Sequence, residues 1–205
     1  RKVDRIHYPS EFIRRMFEEE IKKHTSGEVI SNGVGAEFIR RTERKPDEYK
    51  DRFVVLFTGR YSKEKSHKVL IDAAAESKYA DRLQLIFAGD GPLRKKLEEY
   101  SAKKLKIQPV FGFHTREELI DIINYSDLYV HPAEIEIEAI ACLEAIKCGL
   151  VPVISDSPRS ATKYFALDEK NLFRCGDAAD LAAKMDFWLS HPDEKAKRSA
   201  EYMGY

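Results

Sequence analysis

The stretch FVVLFTGRYSKEKSHKVLIDAAAESKYADRLQLIFAG, residues 53–89, decides the fold. Its two ends, FVVLFTG (Phe53 to Gly59) and LQLIFAG (Leu83 to Gly89), are short, predominantly apolar runs closed by glycine, the pattern of strands covered on both faces. Between them, Lys68 to about Lys78 has helical spacing. The same rhythm continues down the chain: a helix from Leu93 to about Lys103, a strand Pro109 to Gly112, a helix Arg116 to Asn124 and a strand Leu128 to Pro132. A helix Ala139 to Cys148, a strand Val151 to Ser155, a helix Ala161 to Phe165 and a strand Leu172 to Arg174 follow. The amphipathic segment Ala178 to Ser190 closes the series, with Leu181, Met185, Trp188 and Leu189 on one face. Strands in regular alternation with helices predict an α/β fold, a doubly wound parallel sheet of about six strands with helices on both faces. Ligands of such sheets bind at the carboxyl ends of the strands.

Residues 1 to about 27 break this rhythm. Ser10 after Pro9 is an N-cap, and Phe12, Ile13, Met16, Phe17 and Ile21 form a helical stripe against Arg14, Arg15, Lys22 and Lys23. VISNGV (Val29 to Val34) reads as a short strand and turn, and the polar segment Arg40 to Arg52 as a linker or exposed loop. A domain junction is expected near Gly27. Arg1 in place of Met and a charged helical segment running to Tyr205 suggest a piece of something longer.

Lys+Arg and Asp+Glu both number 35, which gives nucleic acid no support as a partner. With 43% hydrophobic and 34% charged residues the chain is globular, and no apolar run approaches the roughly 18 residues of a membrane span. Cys142, Cys148 and Cys175 are odd in number and lack metal-ligand spacing, so reduced thiols and a cytoplasmic setting are expected.

The chemistry-bearing residues fall where strands end. Arg60 and Lys65 follow the first strand in GRYSKEK (Gly59 to Lys65), as a phosphate clamp or as a solvated basic loop. Gly89-Asp90-Gly91-Pro92 reads as a tight turn, because Asp90 repels phosphate. In Phe111-Gly112-Phe113-His114, Phe111 reads as core, while Phe113 and His114 stay open between core or surface and contact with a flat base. The fourth strand leads into HPAEIEIEAIACLEAIKCGLVPVIS, residues 131–155. Its helix is apolar on every side except Glu144 and Lys147, and a lone interior carboxylate needs a partner. Glu136 lies one loop upstream, and the amides near Ala139, Ile140 and Ala141 head the helix, where free N–H groups suit an anion. The alternatives are a Glu144 satisfied by nearby groups and an exposed acidic loop of Glu134, Glu136 and Glu138.

GRYSKEK, FAGDGP, FGF and the 131–155 stretch, in this order, resemble the carboxyl-terminal domain of the retaining glycosyltransferases of family four, or group 1, over nearly the whole chain from Val29 onward. The family's two glutamates separated by seven residues fall on Glu136 and Glu144, and its Glu-Ala-x-x-x-Gly continuation on Glu144, Ala145 and Gly149. The resemblance implies the second half of a GT-B fold, Rossmann-like, facing a missing N-terminal acceptor domain whose trailing segment is residues 1–27, with 28–205 as the nucleotide-sugar-binding domain. It implies that Arg60 and Lys65, after Gly59, hold the diphosphate, that backbone around Phe113 meets the base, that Glu144 binds ribose hydroxyls and that Glu136 faces the donor sugar. The implied activity is hexosyl transfer, from UDP-glucose or another UDP-hexose to a lipid or glycan acceptor, without a cofactor or metal; the fragment alone is expected to be inactive. The segment Ser157 to Phe173 resembles the bacterial enzymes that glucosylate membrane lipids. The Ser10 to His24 helix is expected to pack under the missing domain, with peripheral membrane contact as the alternative.

Two departures stand out. Ile137-Glu138-Ala139 replaces the usual Gly-Phe-Gly, and Ser66 replaces a common glycine after Lys65. Ala139 still offers its N–H, whereas a positive φ is unfavourable at Ile137. The alternatives for function are a non-catalytic nucleotide-sugar-binding module, a sugar-nucleotide epimerase or hydrolase of similar architecture, and a plain interaction domain.

Overall fold

In the computed structural model, which describes residues 3–204, six parallel strands form one sheet in the order β5-β4-β3-β6-β7-β8. They are β3 (Phe53–Thr58), β4 (Leu83–Ala88), β5 (Val110–Gly112), β6 (Leu128–His131), β7 (Pro152–Ser155) and β8 (Leu172–Phe173). The chain ends Arg1 and Tyr205 lie outside the described residues. The connecting helices are α2 (His67–Glu76), α3 (Arg94–Lys104), α4 (Arg116–Tyr125), α5 (Ile140–Lys147) and α6 (Ala178–Ser190), followed by α7 (Pro192–Met203). Only Ala161–Phe165 departs from the expected α-helices, forming a 3-10 turn.

Alternation along β3 shows why the sheet is covered on both sides. Val55 and Phe57 pack with Leu70, Ile71, Leu97, Leu181, Met185 and Trp188 of α2, α3 and α6. Val54 and Leu56 face Ile120, Ile123, Cys142, Ile146 and Tyr202 of α4, α5 and α7. A strand buried on both faces must be apolar along its interior, as β3 is from Val54 to Phe57. Sheet winding starts at β3, runs outward to β5, then returns to β6 on the other side of β3. The β3/β6 boundary is therefore the switch point, where the two following loops part and leave a crevice at the strand ends.

The expected linker is not free. Phe38 is buried under α4 and α5; Arg41 N–H donates to Asn124 Oδ1 at 2.6 Å, and Lys45 Nζ pairs with Asp127 at 2.5 Å. Arg40 to Arg52 is thus a strap across the sheet's amino-terminal edge. The strand expected at Val29 to Val34 lies instead at β2 (Gly27–Val29) and pairs in parallel with β1 (Ile6–Tyr8). It joins α1 (Glu11–Ile21), whose Ser10 cap accepts from Ile13 N–H, in a small βαβ unit. This pairing depends on β1, which short-range pattern does not reveal. Of the helical stripe, only Phe12 is buried; Met16, Phe17 and Ile21 remain exposed.

His67, the first residue of α2, is buried against the rings of Phe57, Tyr61 and Phe87, and neither ring nitrogen has a partner. Burial, reinforced by Lys65, lowers its pKa to about 4. The unfolded chain takes up this proton near pH 6.5 while the folded chain refuses it until about 4, so the contribution is complete above 6.5 and lost as the pH falls through 4. Urea unfolding between pH 7 and 4 is expected to show a loss of up to about 3 kcal/mol from this residue. His67→Phe should flatten that dependence; an unchanged slope would refute the assignment.

Candidate donor-binding site

Gly59, Gly89 and Gly112 lie just past or at the ends of β3, β4 and β5, and their backbones continue the ladder: Gly59 N–H donates to Ala88 O at 3.0 Å, and Gly89 N–H to Gly112 O at 2.7 Å. A Cβ on Gly89, whose φ is +156°, would stand 2.1 Å from Gly59 O. Only glycine permits this approach. The turn is pinned from below by buried Tyr61, whose hydroxyl donates to Phe87 O at 2.5 Å and accepts from Gly112 N–H at 3.1 Å. A cleft of about 380 Å³ opens above these ends, lined by Thr58, Gly59, Arg60, Gly89, Phe113 and His114 among others.

The two loops that part at β3 and β6 meet again through a charge pair. Lys65 Nζ donates to Glu136 Oε2, with the two side chains only 18% and 15% exposed. His131 Nε2 lies 3.3 Å from the same oxygen, within ion-pair range though off the line of a good hydrogen bond. Its Nδ1 is 3.2 Å from Tyr129 Oη, so a tautomer carrying the proton on Nε2 satisfies both neighbours. Burial pushes the Glu136 carboxyl up, but His131 and Lys65 together prevail and hold it down at about 2. Glu136 is an anion at every physiological pH. Burial lowers the pKa of His131, against the pull of Glu136. The loops are also joined through backbone: Glu134 N–H donates to Glu64 O at 2.8 Å.

Glu144 is half-buried on α5, and its carboxylate accepts no hydrogen bond among the described residues. Burial raises its pKa, with Arg116 opposing and Glu37 reinforcing. Neither nearby backbone nor an arginine satisfies it by contact; its lone pairs are available to hydroxyl donors. At the head of α5 the first intrahelical bonds run from Cys142 and Leu143 N–H to Ala139 O, leaving the amides of Ala139, Ile140 and Ala141 without intrahelical acceptors. Positive φ falls on Ala139 (φ 55°, ψ 55°), and not on Ile137. Left-handed backbone at a residue with Cβ costs about 1–2 kcal/mol. Ser66 is likewise left-handed at φ 52°, which is the conformation a glycine after Lys65 supplies without strain.

The structure brings Lys65 together with Glu136. Arg60 is exposed and makes no side-chain pair among the described residues. Phe113 is 81% exposed, whereas Phe111 stacks on Phe87 with ring centroids 5.1 Å apart. His114 Nε2 is buried without a partner beside the cleft. The exposed acidic loop holds only for Glu134, which pairs with Arg159 at 2.9 Å. Glu138 is buried, which the sequence reading does not anticipate; the signal is a charged residue standing in a loop that is usually glycine-rich. No group of three or more His, Cys, Asp or Glu among the described residues is arranged to hold a metal ion.

A doubly wound sheet with a partly buried cation–carboxylate pair across its switch point, glycine-packed strand ends and an open helix head defines a Rossmann-like domain of the GT-B type. The chain belongs to the glycosyl transferases group 1 family, whose model matches residues 38–203. It is 30% identical over 137 residues to the putative glycosyltransferase EpsF of Bacillus subtilis (strain 168), covering 63% of this chain and 36% of that protein. The catalytic domain of cholesterol-alpha-glucosyltransferase from Helicobacter pylori is 47% identical, with a TM-score of 0.72, over 74% of this chain and 95% of that one. Anabaena HepE, crystallised with UDP-glucose, has the same fold at 19% identity, with a TM-score of 0.86 over 100% of this chain and 59% of its own. The chain spans between 26% and 39% of the length of the curated relatives it matches.

Proposed function

We propose that this chain is the donor-binding half of a retaining hexosyltransferase that takes UDP-glucose or another UDP-hexose and passes the sugar to a lipid or glycan acceptor. The observation that carries this is the Lys65–Glu136 pair, which seats a cation and a permanent carboxylate at the switch point, beside the unpartnered amides of α5. The names of the Helicobacter pylori relative and of the HepE complex support a glucosyl donor, and the former supports a lipid acceptor. Arg60, Lys65 and the amides of Ala139, Ile140 and Ala141 hold the diphosphate and neutralise the charge that develops on it as the glycosidic bond breaks. Glu144 accepts from ribose hydroxyls, backbone around Phe113 meets the base, and Glu136 faces the sugar, from one face of which UDP departs and the acceptor hydroxyl attacks, its proton passing to the departing diphosphate. A preceding domain supplies the acceptor side. No metal ion is required for these roles. No helix of the described residues is long and apolar enough to cross a membrane, and the proposed setting is the cytoplasm, with the acceptor presented at a membrane surface.

Calorimetric titration of UDP, UDP-glucose and GDP into the protein tests this. Saturable binding of the uridine ligands is expected, unaffected by EDTA and weakened roughly tenfold or more by Arg60→Ala or Lys65→Ala, as fits the loss of a charge-assisted phosphate contact. Absence of binding, or binding indifferent to both substitutions, would sink the donor-site assignment. A non-catalytic binding module would bind alike but give no turnover in the full-length protein offered lipid and glycan acceptors.

A further inference from the structure

The loop that presents the α5 amides is held from outside itself. Glu138, only 6% exposed, accepts hydrogen bonds from Ser31 Oγ, from Asn32 Nδ2 and from Asn32 N–H at 3.0 Å. One residue earlier, Ile137 O accepts from Ser10 Oγ at 3.1 Å. Ser10 caps α1, and Ser31 and Asn32 leave β2, so both anchors lie in or just beyond the small βαβ unit. On the other side of the loop, Cys142, Ala145 and Ile146 lock α5 into the core. Ala139, with its left-handed backbone, is suspended between these two fixed points. Such strain persists only where the surroundings over-determine it. A carboxylate with three donors is an anchor of that kind, because charge-assisted bonds are stronger than neutral ones.

We infer that Glu138 is a positioning residue for the donor site: clamped by Ser31 and Asn32, it holds Ala139 left-handed and so sets the α5 amides and the Glu136 carboxylate toward the diphosphate and sugar. This rests on the donor-site reading above. The tether takes over by restraint what glycines at 137 and 139 achieve by conformational freedom. It also ties the donor loop to the βαβ unit, so that a reorientation of that unit moves the loop with it.

UDP-glucose affinity of the full chain carries the first test. Glu138→Ala is expected to weaken binding about tenfold, and Ala139→Gly in that background to recover at least threefold, because glycine reaches the left-handed state without help. Glu138→Gln, of nearly the same shape, should fall between wild type and Glu138→Ala. A merely structural Glu138 would lower the melting temperature without recovery of affinity by a glycine that adds no contact. Unchanged affinity in Glu138→Ala, or no recovery, overturns the inference. Hydrogen exchange without nucleotide reads the tether independently: Glu138→Ala should speed exchange at residues 136–142 more than tenfold while residues 53–58 keep wild-type protection. Unaltered exchange at 136–142 overturns the tether, whereas failure of the wild type to bind any nucleotide sugar overturns the donor assignment instead.

Discussion

Lys65→Met is expected to lower turnover of the full-length enzyme about 10²- to 10³-fold, the range seen when one preorganised donor to developing charge is removed. Two effects act together. Lys65 pairs with Glu136 across the switch point, so on the proposed reading its loss leaves the departing diphosphate with Arg60 and the helix end alone. The second effect falls on Glu136, which owes its depressed pKa of about 2 to His131 and Lys65 acting against burial. Without Lys65 that carboxyl rises and leans on His131, whose ring then gains a reason to be charged. If Lys65 acts on charge that develops during bond cleavage, kcat falls more than UDP affinity does. Steady-state kinetics alongside calorimetry of UDP would show it, and a kcat within threefold of wild type would refute the role. Breaking the pair also destabilises the fold by about 1–3 kcal/mol, less than for a fully buried pair because both groups keep some solvent. Lys65→Met with Glu136→Gln should restore stability without restoring turnover.

Gly89→Ala should destabilise the chain by about 3 kcal/mol or more, at the upper end of the cost of overpacking. The added methyl would meet Gly59 O at 2.1 Å and Gly59 C at 3.0 Å. Both are backbone atoms at the end of a central strand, and neither can rotate away. Relief requires β3 and β4 to part at their carboxyl ends, which displaces Gly59 and Arg60 and widens the cleft floor. Gly176→Ala is the control, since Gly176 also has positive φ (+80°) but an added methyl carbon there would find no atom within 4 Å. Its cost is that of backbone conformation alone, about 1–2 kcal/mol. The midpoint of urea unfolding separates the two. Equal midpoints for the two variants would show that the close approach does not constrain the turn.

The family match and the fold agree with the order of motifs, and particular residues show how far a linear reading carries. Val54 to Phe57 and Leu85 to Phe87 announce strands because burial on both faces favours apolar side chains at successive positions, a demand visible residue by residue; Gln84 is the buried polar member of β4, its amide donating to Leu85 O and Gln108 O. The bounds of Ala178 to Ser190 are legible for a similar reason, with Asp177 capping its start through Asp180 N–H. Phe111 and Phe113 have the same side chain, two residues apart, yet one stacks on Phe87 and the other is exposed. The end of β5 lies between them, and only the sheet fixes where pairing stops. Val29 reads as the start of a strand and is instead the end of one, because its partner is β1, more than twenty residues earlier.

By itself, the sequence determined the sheet, its two helical faces, the placement of Arg60, Lys65 and Glu136 in loops after strands and of Glu144 on the helix α5, and the family. The sheet and its faces follow from local periodicity and the site positions from spacing along single loops, both properties of neighbouring residues, and the family follows from the resemblance of the ordered motifs. Tertiary structure alone decided that Lys65 and Glu136, 71 residues apart, form an ion pair, that Glu138 is anchored 106 residues away on Asn32, and that Ala139 rather than Ile137 takes the left-handed turn. Those outcomes depend on which strand ends the winding of the sheet brings side by side. Charge pairing and backbone strain are set by distance in space, and spacing along the chain does not encode that distance.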